Sequence, residues 1–177
     1  MARFARYPVG TYLVLGRRGV GKTTFLRSLV GEMLSDGREW VFVHDERGQF
    51  PGVQWRLTND FAAAQKLTGR VHVFTEASPG DVAALAVAVA ERGGKVLLVI
   101  DEIDLCSTST SWCDTPPRKP GEVGVRHGNL YRIVHYGRHI GRPPGNIGRE
   151  WGVTLIGSAR RPTNLHVDLG ELAERIY

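Results

Sequence analysis

Apolar runs alternate with amphipathic stretches along this chain, and the alternation predicts its secondary structure. Short apolar runs, which are typical of buried strands, cover residues 11–15, 40–43, 70–74, 96–100 and 153–157. Apolar residues at helical spacing predict helices from Lys22 to a stop at Gly37, over 58–67, 78–92 and 125–139, and from a cap at Asp168 through Ile176. Strands that alternate with helices indicate one α/β domain over residues 1–177 with a largely parallel sheet.

Several local signals refine these boundaries. The first helix has an apolar face, which comprises Phe25, Leu26, Leu29, Val30, Met33 and Leu34. Ser78 and Pro79 predict a capped helix start, because a serine oxygen accepts from the first free amides and proline fits the first helical position. The run Val96–Ile100 is apolar throughout, which is typical of a strand buried on both faces.

One long segment lacks any periodicity. Residues 106–124 are rich in Ser, Thr and Pro, and we predict a mobile loop there. The longest apolar stretch, Val82–Ala90, has nine residues, whereas a membrane-spanning helix needs about 20. We therefore expect no transmembrane segment, no secretory signal and, with two cysteines, an intracellular reducing setting.

Positive charge is concentrated in one segment. The chain has 23 Lys and Arg against 18 Asp and Glu, a net charge of +5. Residues 118–161 contain nine of the cations and only two acids, so this segment carries +7 and the rest of the chain −2. A basic segment on a slightly acidic body favours a polyanion such as nucleic acid as partner. A solvated basic face explains the charge equally well.

The clearest chemical motif is Gly16-Arg-Arg-Gly-Val-Gly-Lys22-Thr23, which matches G-x-x-x-x-G-K-[ST]. It lies between a predicted strand and a predicted helix, where glycines let successive amides face a phosphate and the helix dipole favours the same anion. The residues expected to bind the ATP phosphates are Gly16, Gly19, Val20, Gly21, Lys22, Thr23 and Thr24. Lys22 is expected to reach the β- and γ-phosphates, and the Thr23 hydroxyl to bind Mg²⁺.

A second motif follows the strand Val96–Ile100. Asp101 and Glu102 come directly after it, at the carboxyl edge where ligands bind in parallel sheets. We expect Asp101 to bind Mg²⁺, usually through water. Glu102 is then placed to deprotonate an attacking water, which favours hydrolysis over transfer to a small acceptor.

Two further elements carry candidate polar residues. The strand Val153–Gly157 ends in Ser158-Ala-Arg160, and either polar residue reaches the γ-phosphate if this strand lies between the other two motif strands. Arg138 ends a predicted helix before a glycine-rich loop and is a candidate finger for a neighbouring subunit, with Arg142 and Arg160 as reserves. A helix-dipole role explains Arg138 nearly as well.

The cysteines and nearby histidines match no compact zinc motif. They comprise Cys106, Cys113, His127, His135 and His139. We interpret them as free thiols and helix-surface histidines.

Taken together, the motifs resemble the FtsK/HerA superfamily of DNA-pumping ATPases, and most closely the genome-packaging ATPases of membrane-containing icosahedral viruses. The matching pieces are Gly16–Thr23, Asp45-Glu-Arg-Gly48, Ile100-Asp-Glu102, and Gly137-Arg-His139 followed by Ser158-Ala-Arg-Arg-Pro162. The resemblance implies a RecA-like (ASCE) P-loop core, a homo-oligomeric ring of five or six subunits around double-stranded DNA, and ATP-driven packaging. It also implies a cytoplasmic or virion-associated protein with a capsid vertex protein as a further partner.

The sequence departs from that family in three places. Arg160 occupies the position where the family usually has glutamine, residues 142–152 look like an insertion, and a final strand is expected to be short or absent. Alternative functions are a filamentous-phage assembly ATPase similar to zonular occludens toxin, an AAA+ ATPase, a small-molecule kinase, and a nucleotide switch without turnover. The first usually has a transmembrane segment and the second needs a helical lid. The kinase needs an acceptor pocket, and Glu102 argues against the switch.

Overall fold

The structure, a computed structural model, describes residues 7–35, 39–50, 53–54, 71–117, 120, 126–145 and 151–177. Its strands are β1 (Thr11–Leu15), β2 (Trp40–His44), β3 (Val53–Gln54), β4 (Val71–Phe74), β5 (Lys95–Ile100), β6 (Gly152–Ala159) and β7 (Ala173–Ile176). Its helices are α1 (Lys22–Ser35), α2 (Pro79–Glu91), α3 (Asn129–Tyr136) and α4 (Val167–Leu172). Single 3-10 turns cover Ile103–Leu105, Gly137–His139 and Pro162–Asn164.

The strands form one sheet in the order β3-β4-β2-β5-β6-β1-β7. Every strand pairing in the described part of the chain is parallel. β6 lies between β1 and β5, with Ser158 opposite Val14 and Gly157 opposite Ile100. The sheet order therefore brings the carboxyl ends of the three motif strands side by side, which meets the condition stated for Ser158 and Arg160.

Side chains that alternate along the strands build a core on each face of the sheet. On one face, Phe42, Leu98 and Leu155 pack in a cluster that includes the apolar residues of α2 and α3. On the other face, Leu97 and Ile156 belong to a cluster that includes the inner side of α1. The central strands are thus buried on both faces, which explains their continuous apolar sequence.

The two long helices largely follow the predictions. α2 begins at the predicted cap, where the Ser78 hydroxyl accepts a 3.1 Å hydrogen bond from the Asp81 amide. α1 buries the predicted apolar positions Leu26, Leu29, Val30 and Met33. Phe25, predicted on the same face, is instead 41% exposed and packs beside Tyr177 with ring centroids 5.1 Å apart.

The prediction of a helix over 125–139 was wrong at both ends. α3 begins at Asn129, because extended Gly128 precedes it and the Asp114 carboxylate accepts from the Leu130 amide at 2.9 Å. Residues 137–139 form a separate 3-10 turn. The apolar positions of α3 are buried as predicted, namely Leu130, Ile133 and Val134.

The predicted terminal helix through Ile176 was also wrong. α4 ends at Leu172, and the next four residues form β7, which pairs with β1. The cap of α4 is His166, whose Nδ1 accepts from the Asp168 amide at 3.3 Å, rather than Asp168 itself. β1 would otherwise have an unpaired edge, and its backbone groups gain partners in β7. The final strand is present and short.

The segment 106–117 is partly folded onto the body of the protein. Ser107 and Trp112 form an antiparallel bridge, and Cys106 and Trp112 are buried. Residues 118–119 and 121–125 lie outside the described residues, as does the predicted helix over 58–67. Mobility over 106–124 stays a prediction.

Candidate functional site

The glycine-rich loop connects the carboxyl end of β1 to α1, as the sequence predicts. Gly19 and Gly21 have φ angles of +83° and +89°, a region that side-chain-bearing residues rarely adopt. The Lys22 ammonium donates to the carbonyl oxygens of Gly16 at 2.7 Å and Arg17 at 3.1 Å. These bonds fold the lysine over the loop, which places its charge at the amino end of α1.

Asp101 and Glu102 lie at the carboxyl end of β5. The Asp101 amide donates to the carbonyl oxygen of His44 at 3.1 Å, which ties the end of β5 to β2. Glu102 has a left-handed backbone, with φ 60° and ψ 49°, and is the only non-glycine residue with positive φ in the described part of the chain. Such a conformation costs about 1–3 kcal/mol and is typical of functional sites.

Ser158 of β6 holds this strained turn in place. Its hydroxyl donates to Asp101 Oδ1 and accepts from the Glu102 amide at 3.1 Å. The neighbouring Gly157 leaves room for the turn, because a Cβ there would lie 2.8 Å from a methyl carbon of Ile103. The Gly-Ser sequence therefore fixes β6 directly against the Asp101-Glu102 turn.

Two arginines from different strand ends contact the Glu102 carboxylate. Arg160, which follows β6, donates from Nη2 to Glu102 Oε1. Arg47, which follows β2, places its Nη2 3.1 Å from Oε1 and 3.2 Å from Oε2 of the same carboxylate. The hydrogen bond with Glu102 raises the pKa of Arg160. The side chain of Glu102 is only 17% exposed, so both guanidiniums cover it.

Arg47 is a cleft residue that sequence reasoning missed. It appeared only as part of the Asp45–Gly48 element, without a role of its own. In the structure, buried Asp45 shapes this turn by accepting from the Arg47 amide at 3.1 Å and from the Phe50 amide at 2.7 Å. The usable signal was the aspartate two residues before it, because such aspartates commonly organise a turn.

An open cleft joins the motifs at the carboxyl edge of the sheet. It is lined by Arg18, Gly19, Gly21, Lys22, Thr23, Thr24, Arg47, Gln49, Asp101, Glu102 and Arg160. The predicted Val20 is 63% exposed and Gly16 lies under the loop, so neither lines this cleft. Lysine, arginine and the amino end of a helix suit phosphate, while a threonine hydroxyl and a carboxylate suit Mg²⁺. The donor set therefore fits a magnesium–triphosphate complex.

Arg138 lies far from this cleft. Arg138 instead lies beside Gly152 at the start of β6, where an added Cβ would be 3.3 Å from the Arg138 Cα. Six residue steps along the strand separate Gly152 from Ser158, which corresponds to about 20 Å. An arginine side chain is much shorter than this distance, so Arg138 cannot reach the phosphate site of its own subunit. It is exposed at the amino edge of the sheet.

The described cations of the basic segment do not form one patch. Among its described residues, Arg160 and Arg161 lie at the carboxyl edge of the sheet and Arg138 at the amino edge. Arg132 of α3 is paired with Glu91 at 2.6 Å. Arg118, Lys119 and Arg149 lie outside the described residues. The described cations of this segment therefore lie at both edges of the sheet.

A second cavity adjoins the cleft and contains both cysteines. Its lining includes His44, Glu46, Leu105, Cys106 and Cys113 together with the Asp101-Glu102 turn. The two thiols are free and share a hydrogen bond, which lowers the pKa of Cys113 and, with burial, raises that of Cys106. Burial also lowers the pKa of His44.

The histidines predicted to lie on a helix surface include one with a defined partner. His135 Nε2 lies 2.8 Å from the Asp168 carboxylate, and its ring stacks on Tyr131 with centroids 4.1 Å apart. His127 also stacks on Tyr131, with centroids 3.6 Å apart. The contact between His135 and Asp168 links α3 to α4.

No helix in the described part of the chain is long and apolar enough to cross a membrane.

Comparison of the whole fold with solved structures finds similar folds, whereas no family model and no curated protein matches the sequence. The genome packaging NTPase B204 of Sulfolobus turreted icosahedral virus 2, in complex with AMPPCP, matches with a TM-score of 0.66 and 16% identity over 96% of this chain and 74% of that one. B204 from Sulfolobus turreted icosahedral virus, described as a DNA-packaging ATPase, matches with a TM-score of 0.62 and 17% identity over 96% and 74%.

A protein of another kind shares part of the fold. The pCW3 conjugation coupling protein TcpA, in complex with ATPγS, matches with a TM-score of 0.50 and 15% identity over 95% of this chain and 48% of that one. At such identities the likeness concerns the fold. The chain therefore has the fold of a P-loop NTPase, a parallel sheet flanked by helices, and in fold it resembles the viral genome-packaging ATPases.

Proposed function

We propose that this protein hydrolyses ATP and uses the energy to move double-stranded DNA into a viral capsid. The observation that carries the proposal is the cleft itself, where a phosphate-binding loop faces Asp101 and Glu102 across the strand that ends in Ser158 and Arg160. The fold likeness to B204, a packaging ATPase by its description, supports the same conclusion.

Each cleft residue has a distinct part in the proposed reaction. Lys22 and the loop amides hold the β- and γ-phosphates, and Thr23 and Asp101 hold Mg²⁺, which when bound neutralises charge on the phosphates. Glu102 orients the attacking water and takes its proton on the carboxylate. Ser158 positions Asp101 and Glu102 through its two hydrogen bonds.

Two variants test turnover. Lys22→Ala should lose nucleotide binding, because the phosphates lose their main cation. Glu102→Gln should keep ATP binding and lose hydrolysis, because the amide preserves the shape but cannot accept the proton. ATP affinity and kcat are measured for both, with Arg27→Ala, an exposed arginine on α1, as control. Parent-rate hydrolysis by Glu102→Gln would contradict the assignment, and phosphorylation of an added nucleoside would favour a kinase.

Arg138 is proposed as an arginine finger in a ring of five or six subunits. It is exposed and about 20 Å from its own phosphate site, so only the site of a neighbouring subunit is within its reach. Arg138→Ala should therefore bind ATP normally and hydrolyse it about 10³-fold more slowly or worse.

Mixing two inactive variants tests action between subunits. Arg138→Ala supplies sites that bind ATP, and Lys22→Ala supplies fingers, so a ring containing both should regain activity. About a quarter of the interfaces in a randomly mixed ring pair an intact site with an intact finger. If activity does not return although co-assembly is demonstrated by mass measurement, Arg138 does not act in trans.

DNA as partner is tested by the salt dependence of binding. The logarithm of the affinity for duplex DNA should fall linearly with the logarithm of the salt concentration, with a slope of about −0.9 for each phosphate contacted. Neutralising Arg118 and Lys119 together should flatten that slope for all sequences alike, whereas Arg27→Ala should not. DNA should also stimulate the ATPase. Salt-independent binding, or none at low salt, would count against a DNA motor.

A further inference from the structure

The Glu102 carboxylate has two cationic partners in the structure, and both line the phosphate cleft. Arg47 Nη2 lies 3.1 Å from Glu102 Oε1, and Arg160 donates to the same oxygen. Lys22 and Thr23 of the phosphate-binding loop line the same cleft. The arginine side chains are 44% and 35% exposed and the carboxylate 17%, so the guanidiniums lie between Glu102 and solvent.

A carboxylate held in this way has its oxygens occupied. Each guanidinium donates to its oxygens, and these are the lone pairs that a nucleophilic water would use. Glu102 therefore has to exchange at least one arginine for water before it can orient that water.

The terminal phosphate of a nucleoside triphosphate is the group that competes for these arginines. Phosphate carries more charge than a carboxylate and offers more acceptor oxygens, and guanidinium suits both. Arg47 is the better placed of the two for an exchange, because its backbone is fixed by Asp45 while its side chain is nearly half exposed.

We propose that Arg47 has two alternative anionic partners, Glu102 and the γ-phosphate, and that a triphosphate frees Glu102 to contact the attacking water by drawing Arg47 away from it. The inference rests on the proposed function and deepens it, since it assigns to Arg47 the distinction between nucleoside triphosphate and diphosphate. ADP lacks the γ-phosphate that competes with Glu102 for Arg47, so the contact between Arg47 and Glu102 stays intact when ADP binds.

Nucleotide affinities test the exchange without relying on turnover. Affinities for ADP and for AMPPCP are measured with Mg²⁺ by titration calorimetry in the parent, Arg47→Ala and Arg47→Lys. Arg132→Ala is the matched control, because it removes an arginine of the outer helix α3 that has similar exposure, 46% against 44%, from an ion pair with a glutamate. Arg47→Ala should weaken AMPPCP binding about tenfold or more and leave ADP within about twofold, because one charge-assisted contact is lost.

The lysine variant distinguishes a charge contact from a structural role. Arg47 uses a single nitrogen, Nη2, toward Glu102, so the point charge of a lysine should restore most of the preference for AMPPCP. A purely structural ion pair would instead change both affinities equally. An unchanged ratio of AMPPCP to ADP affinity in Arg47→Ala overturns the inference.

The competition itself is tested with Glu102→Gln. Removing the carboxylate should tighten AMPPCP binding about two- to fivefold with Arg47 present, and by less when Arg47 is already alanine. If Glu102→Gln increased the affinity for AMPPCP equally with Arg47 present and with Arg47→Ala, the proposed exchange of partners would be overturned. If the parent binds neither nucleotide, the proposed function fails and this inference with it, which is a different result from equal ratios in proteins that bind both.

Discussion

Ser158→Ala removes one oxygen atom from the centre of the site. The side chain is fully buried, and its hydroxyl donates to Asp101 and accepts from the Glu102 amide. Alanine leaves the Asp101 carboxylate without this donor and the Glu102 amide without its acceptor. The left-handed turn at Glu102 then loses the contact that holds it.

The size of the effect follows from the two bonds. A hydrogen bond to a charged group contributes about 1.5–3 kcal/mol and one between neutral groups about 0.5–1.5 kcal/mol. Both bonds are partly buried, so values near the lower ends apply. We expect Ser158→Ala to lower the free energy of unfolding by about 2–3 kcal/mol. We also expect kcat to fall about tenfold or more, because a shift of Glu102 worth about 1.4 kcal/mol in the barrier has that effect.

Urea unfolding and steady-state ATPase rates are the assays. Ser35→Ala is the matched control, because its hydroxyl makes a single exposed bond to a carbonyl oxygen in α1, and its loss should cost less than about 0.5 kcal/mol. A double-mutant cycle with Asp101→Asn isolates the charged bond and should give a coupling of about 1 kcal/mol. The argument that Ser158 holds the turn would be refuted if Ser158→Ala lowered the free energy of unfolding no more than Ser35→Ala does. Zero coupling between Ser158→Ala and Asp101→Asn would refute it as well.

Three further predictions concern the fold and its titrating groups. Gly152→Ala should destabilise the protein by about 3 kcal/mol or more, because the φ angle of Gly152 is +100° and a Cβ would lie 2.0 Å from a backbone oxygen. Gly31→Ala should stabilise it by up to about 1 kcal/mol, because Gly31 lies in α1 with open space around it. Urea unfolding measures both changes. Iodoacetamide should alkylate Cys113 before Cys106, because the pKa of Cys113 is lowered and it is the exposed thiol; mass mapping that finds Cys106 modified first would contradict this. Burial lowers the pKa of His44, so the unfolded chain binds a proton at this residue more readily than the folded chain does. The free energy of unfolding should therefore decrease as the pH drops below about 6.5. His44→Gln should make this decrease with pH smaller.

Much of the architecture could be read from local pattern. A strand buried on both faces must be apolar throughout, so β5 and its Asp-Glu end were visible in the sequence. The phosphate-binding loop was equally visible, because Gly19 and Gly21 occur where the backbone needs positive φ. Such features depend on neighbours along the chain, and their signals are therefore local.

Other features depended on groups distant in sequence. Residues 173–176 have a helical pattern, yet they form β7 because the free edge of β1 offers backbone partners that a longer α4 would not supply. α3 begins at Asn129 because Asp114, 15 residues earlier in the chain, accepts at its first turn. Local propensity is a weak preference and tertiary contacts override it.

The candidate site also has features that local sequence determines and features that depend on the tertiary structure. The sequence by itself determined which residues are the candidates for phosphate and proton chemistry, because Lys22, Asp101 and Glu102 belong to short motifs with a direct chemical reason. Only the tertiary structure decided that Arg47 joins Arg160 on Glu102, and that Arg138 lies at the opposite edge of the sheet. The sheet order places the ends of β2, β5 and β6 side by side, and a side chain's partner across strands is fixed by that order rather than by its neighbours in the chain.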